Sequence, residues 1–150
     1  MSSTLSLREQ VAINLVESLQ AIDDPRVVLV TREPFDVEKL AITQFPSLLV
    51  QQTNETRETI TMGAVAAGQR RGVMEFEIRG FVRGVELDTR RNELIGAVED
   101  ALDSDRNRGL RTSGVMDTQV RNIEIVPRLQ PLAEFIITVE VTYNYVRGAL

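Results

Sequence analysis

Between Val73 and Leu102 the hydrophobic period changes from two to 3.6, and no other stretch constrains the fold as tightly. In VMEFEIRGFVRG the side chains alternate. Met74, Phe76, Ile78 and Val82 fall on one side, and Glu75, Glu77, Arg79 and Arg83 on the other. That is a strand with one apolar and one wet face. Asp88 then offers an N-cap oxygen, and Leu94, Ile95, Val98, Ala101 and Leu102 share one helical face, with Arg91, Glu99 and Asp103 off it. The helical stripe is expected to pack on the apolar face of the strand, which makes this unit the centre of the core.

Upstream, Leu5 to Ile22 reads as an amphipathic helix with Leu7, Val11, Leu15, Leu19 and Ile22 on one face. Ser6 and Glu9 form a capping-box pattern, and Asp23-Asp24-Pro25 stops the helix because the residue before proline avoids helical geometry. Val27 to Thr31 predicts a short strand. Arg32 to Pro46 predicts a loop over the edge of the sheet, with a helical turn after Asp36 and with Leu40, Ile42 and Phe45 tucked beneath it. Ser47 to Gln52 is apolar on both faces at Leu48, Leu49 and Val50, as an interior strand would be.

Residues 53–72, TNETRETITMGAVAAGQRRG, are the least core-like. Glu58, Ile60 and Met62 alternate weakly against Arg57, Thr59 and Thr61, and a small, glycine-rich half follows, tipped by Arg70 and Arg71. The stretch is either a tolerated surface loop or an arm that orders against a partner. Structureless loops of this length are uncommon without a role.

Downstream of Leu102, residues 104–118 form a polar connection. Around the junction with the helix, Asp100, Asp103 and Asp105 lack the spacing and the closing Glu of a calcium loop. Thr118 to Pro127 predicts a strand with Ile123 and Ile125 inward, Arg128 to Ala133 a turn, and Glu134 to Val146 the longest strand. The order α-β-β-(arm)-β-α-β-β leaves too little chain for repeated helical crossovers. The expected fold is therefore one α+β domain over residues 1–150. It is a two-layer sandwich of a mainly antiparallel sheet, with two helices on one face and an arm at 53–72.

The sequence has no Cys and no His, which excludes Ser/His/Asp and Cys/His catalysis, disulfides and Cys- or His-based zinc sites. Carboxylates would be the sole acid–base groups near neutral pH, so no enzyme activity, metal or cofactor is expected. A net charge of −5 argues against a broad phosphate-binding face. No apolar run approaches the ~20 residues of a membrane helix, and no leader-like start is present. Lys39 stands against sixteen arginines. Arginine suits interfaces through its planar fork, though codon bias in a GC-rich genome accounts for the ratio slightly better.

A compact domain of this length is roughly 38 Å across, whereas the last strand, at ~3.3 Å per residue, spans about 43 Å. The strand beginning at Val73 is nearly as long, unless Gly80 marks a bulge. Strands that overrun their own core expose backbone groups that another chain must cover, so an obligate oligomer is expected.

In order and spacing the chain resembles the tail-terminator (tail-completion) proteins of long-tailed bacteriophages. The resemblance is carried by FPSLLVQQTNET entering the arm, MEFEIRGFVRG feeding DTRRNELIGAVEDALDSD, then RNIEIVP, and a last strand EFIITVEVTYNY near the terminus. It implies a virion structural protein, assembled in the host cytoplasm. Such a protein forms a ring, usually of six subunits, that caps the tail tube, stops its polymerisation and joins the tail to the head connector. The expected partners are other copies of the chain, the tail tube protein and the connector or stopper protein, with DNA passing through the lumen without specific binding. No active site is carried over. Candidates for partner or subunit contact are Arg57, Ile60, Met62, Arg70, Arg71, Arg106, Arg108 and Arg111, and acidic candidates for the lumen are Glu99, Asp103 and Asp105. Two other readings stay open: a head–tail adaptor or stopper, and a small metabolite-binding regulatory domain.

Overall fold

The computed structural model describes residues 5–59, 69–110 and 113–146. Helix α1 (Leu7–Gln20) is followed by β1 (Leu29–Thr31), two 3-10 turns (Val37–Lys39 and Ile42–Gln44) and β2 (Ser47–Thr59). Then come β3 (Gln69–Arg83), α2 (Leu87–Asp103), β4 (Val115–Val126) and β5 (Leu132–Val146). The strands form one sheet in the order β1-β2-β3-β5-β4, antiparallel except for the β1–β2 pair. The fold is α+β, with both helices on one face of the sheet.

The core follows the two periods in the sequence. Met74, Phe76, Ile78 and Val82 of β3, and Phe135, Ile137, Val139 and Val141 of β5, form its sheet side. Against them lie Val11, Leu15 and Leu19 of α1 and the stripe Leu94, Ile95, Val98 and Leu102 of α2. Each such side chain, fully buried, contributes about 1.5–3 kcal/mol of transfer free energy. Ser6 caps α1 by accepting from the Glu9 N–H at 3.1 Å. Only that half of the capping box forms, because Arg32 draws the Glu9 carboxylate away with contacts of 2.7 and 3.0 Å. Asp88 is not the cap of α2. The cap position lies two residues earlier, at Glu86, which is in a left-handed conformation (φ 54°) and makes no side-chain cap. Asp88 instead lies in the first turn, where the helix dipole favours a carboxylate, and pairs with Arg91.

Parallel neighbours cannot be joined by a tight turn, so the chain between β1 and β2 crosses the sheet. It does so on the face away from the helices. Val37 and Phe45 pack there on Phe81 and Leu132, joined by Phe35 and Leu40, and Phe35 meets Phe81 edge-on at 5.6 Å. Asp36 caps the first turn by accepting from Glu38 N–H. Ile42, expected beneath this loop, is 69% exposed on top of it.

Two expectations about the strands are corrected. The long strand β5 does not overhang unpaired, since β3 flanks it from Leu132 to Val146 and β4 from Glu134 to Tyr143. Among the described residues the free edges are β4 on one side and, on the other, β1 and then β2 beyond Leu49, where β1 ends. Gly80 is not a bulge either. Its pairing with Leu48 and Phe135 is regular, and the extra residues are Thr53 in β2 and Met116 and Arg121 in β4.

Candidate interaction surface

Beyond the N-terminus of α1 the sheet continues as a hairpin of β2 and β3, the described root of the arm. Thr53, the extra residue, flips the alternation, so Glu55 and Arg57 face the helix side beside Met74 and Gly72. There they meet the end of β5. The Tyr143 hydroxyl donates to Glu55, Arg57 Nε donates to that hydroxyl at 3.2 Å, and Arg8 Nε and Gln52 Nε2 donate to Glu55 Oε1 at 2.7 and 3.0 Å. The Arg57 guanidinium also lies 4.9 Å above the Tyr145 ring, a cation–π contact. Tyr143 is fully buried and reaches this position because Gly72 leaves its ring room. Charge-assisted bonds of this kind are stronger than neutral ones, so the network holds the arm root to the body.

Burial by itself would raise the Glu55 pKa, but the bonds from Arg8, Tyr143, Gln52 and Arg57 outweigh it and bring the carboxyl from 4.5 to about 2. Burial, and then the bond to Glu55, push Tyr143 from 10.0 up to about 12. A depressed carboxylate stabilises the fold above its unfolded value and loses that contribution as pH falls through the folded value. The stability gap between the natural chain and Glu55→Gln is therefore expected to be full at neutral pH and to close between pH 4.5 and about 2. Urea unfolding of both proteins at a series of pH values checks this. A gap of constant size down to the acid end would mean that Glu55 is not held by this network.

The second feature is the β4 edge. Ile123 and Ile125 pair with Ile137 and Phe135 and so share the helix-facing side of the sheet. They point inward, as expected, yet stay 37% and 46% exposed. The helices cover this edge only in part, because α1 lies on β1 and β2 and α2 reaches β4 less than it does β3 and β5. Between α2 and the ends of β4 and β5 runs an open groove of about 790 Å³, lined by Leu87, Arg91, Ile125, Pro127 and Leu132 among others.

The sequence-based candidates fall in different places. Arg57 belongs to the arm-root network, Arg70 sits half-buried opposite Tyr145, and Arg71 is exposed with Glu58 at 4.0 Å. Arg106 is exposed but already engaged by Asp117 at 2.7 and 3.0 Å. Arg108 is a correction. It is 1% exposed and donates to the carbonyls of Leu102 and Asp105 and to Ser18 Oγ, so it is no surface contact. Glu99 and Asp103 stand one helical turn apart on one side of α2. Asp105 instead closes a turn, accepting from Gly109 N–H at 2.9 Å. Ile60, Met62 and Arg111 lie outside the described residues. The interior pairing of Glu134 with Arg79 and Arg128, at 3.4 and 2.7 Å, has no local signal in the sequence.

No protein-family model matches the chain, and no curated protein matches it in sequence.

Proposed function

We propose that the chain is the subunit of a closed ring, six copies around, that terminates a phage tail tube and joins it to the head connector. The observation that carries this reading is the pair of open edges on one sheet. The β4 edge presents inward-facing isoleucines that the described elements of its own subunit leave 37% and 46% exposed, and β2 beyond Leu49 is open on the opposite side. Two different unsatisfied edges on opposite sides suit head-to-tail contacts, which close into rings when the rotation permits. The net charge of −5 fits a channel through which DNA slides without being held. In this reading the tube protein meets one ring face and the connector or stopper protein the other, and the protein's place is the virion neck.

Light scattering and negative-stain imaging of the purified chain, alone and with tube protein, test the reading. A discrete particle near six times the 16.8 kDa subunit is expected, binding to the end of tubes and capping their growth. A particle that ignores tube protein but binds portal would make it an adaptor instead. A monomer at all concentrations, indifferent to tube protein, overturns the ring.

A further inference from the structure

The open edge of β4 has two unlike halves. From Val115 to Arg121 it is broken by the extra residues Met116 and Arg121, which spoil an edge as a pairing template. From Asn122 to Val126 the register against β5 runs without interruption, Asn122 opposite Thr138 and Val126 opposite Glu134. The exposed isoleucines fall in this second half, which is the kind of flat apolar edge that accepts an added strand.

The sequence holds a matching stretch. Residues 60–68, ITMGAVAAG, are uncharged and set Ile60, Met62 and Val65 among small side chains, between Glu58 and Arg70. They join the far ends of β2 and β3. This stretch cannot serve the edge of its own subunit. Tethered at Thr59 and Gln69, it reaches roughly 17 Å out and back at ~3.4 Å per residue. Its anchor Gln69 stands beside Val146, whereas the receiving edge begins opposite Thr138, roughly 26 Å further along β5 at ~3.3 Å per residue. It also lies two strands across.

We infer that residues 60–68 of one subunit cover the Asn122–Val126 edge of a second copy. The contact is heterologous, since donor and acceptor are different surfaces, and it rests on the ring reading above. It gives the arm a receiving site and gives the half-exposed isoleucines a partner of fitting chemistry.

The absence of cysteine makes the test clean. Val65→Cys and Ile125→Cys are made in separate preparations, mixed and oxidised, with Val65→Cys plus Glu17→Cys, on the exposed side of α1, as the control. A disulfide-linked dimer about tenfold or more above the control is expected, because docked groups share a far higher effective concentration than colliding chains. Ile123→Glu/Ile125→Glu should keep the circular dichroism of a folded subunit yet fail to assemble. Rings in the micrographs with no crosslink above the control overturn this contact and leave the ring standing. Monomers throughout overturn both.

Discussion

Gly80→Val is expected to destabilise the subunit by about 3 kcal/mol, at the upper end of the usual cost of overpacking a core. In a chain of this size that lowers the unfolding midpoint by roughly 6–12 °C. Gly80 and Phe135 are cross-strand partners on the helix-facing side, and the Phe135 ring lies across the glycine. A Cβ at Gly80 would stand 2.1 Å from Cζ, 2.3 Å from Cε1 and 2.8 Å from Cε2. Phe135 is fully buried, so the ring has no solvent to swing into and must displace packed neighbours. Gly72 stands in the same relation to Tyr143, with a Cβ 2.1 Å from Cζ. Gly72→Val should cost less overall, since Tyr143 lies at the end of the helical layer, but it should also break the bonds to Glu55 and Arg57. The control is Phe135→Leu, which shortens the side chain. With leucine in place the Gly80→Ala change should cost less than it does opposite phenylalanine, a positive coupling in a double-mutant cycle. Additive effects measured by denaturant unfolding would mean that the ring and the glycine are not in contact.

Both glycines show where the sequence is legible and where it is not. Alternation in VMEFEIRGFVRG assigns Gly80 to the buried side, and every apolar residue of that side is buried as expected. The aromatic ring that needs the gap comes from Phe135, more than fifty positions away, and no local pattern carries that pairing. For the same reason Ile123 and Ile125 are correctly read as inward while their exposure is missed, since periodicity gives the facing of a side chain but not what lies over it. The interior place of β5 is missed because a strand with one wet face alternates alike at a sheet's centre and at its edge. The Glu55–Arg57–Tyr143 network depends on the extra residue at Thr53, which moves Glu55 and Arg57 to the helix side. Without that shift the alternation from Ser47 puts them on the opposite face.

Arg108 is indistinguishable from Arg106 in SDRNRGLRTSG, yet the two have opposite environments. Arg108→Ala is expected to cost about 3–5 kcal/mol, combining a cavity with the loss of charge-assisted hydrogen bonds. The side chain is among the largest fully buried ones and ties both helices. One Nη2 bond reaches the Leu102 carbonyl at 2.7 Å, another the Asp105 carbonyl, and Nη1 reaches Ser18 Oγ of α1 at 3.3 Å. The Leu102 carbonyl at the end of α2 has a long backbone bond, from the Asp105 N–H at 3.4 Å, so the guanidinium adds a C-terminal cap of favourable sign. Burial pulls its pKa down, and the charge of Asp105 opposes that. Two effects therefore compete in Arg108→Met, which keeps the apolar volume and removes the charge. Replacing a buried ion by a hydrophobe relieves desolvation and can be neutral or stabilising. Here it also removes the guanidinium bonds to two carbonyls, worth about 1.5–3 kcal/mol each as bonds to a charged group. Each carbonyl keeps a backbone donor, the Asp105 N–H on Leu102 at 3.4 Å and the Arg108 N–H on Asp105 at 3.0 Å. Because the bonds lost are charge-assisted and methionine offers no donor in their place, the second effect should prevail. Arg108→Met is then destabilising by about 1–3 kcal/mol, less than Arg108→Ala. Calorimetric midpoints in the order natural chain, Met, Ala support the capping role. A methionine variant as stable as the natural chain would show instead that burying the charge costs as much as its hydrogen bonds return.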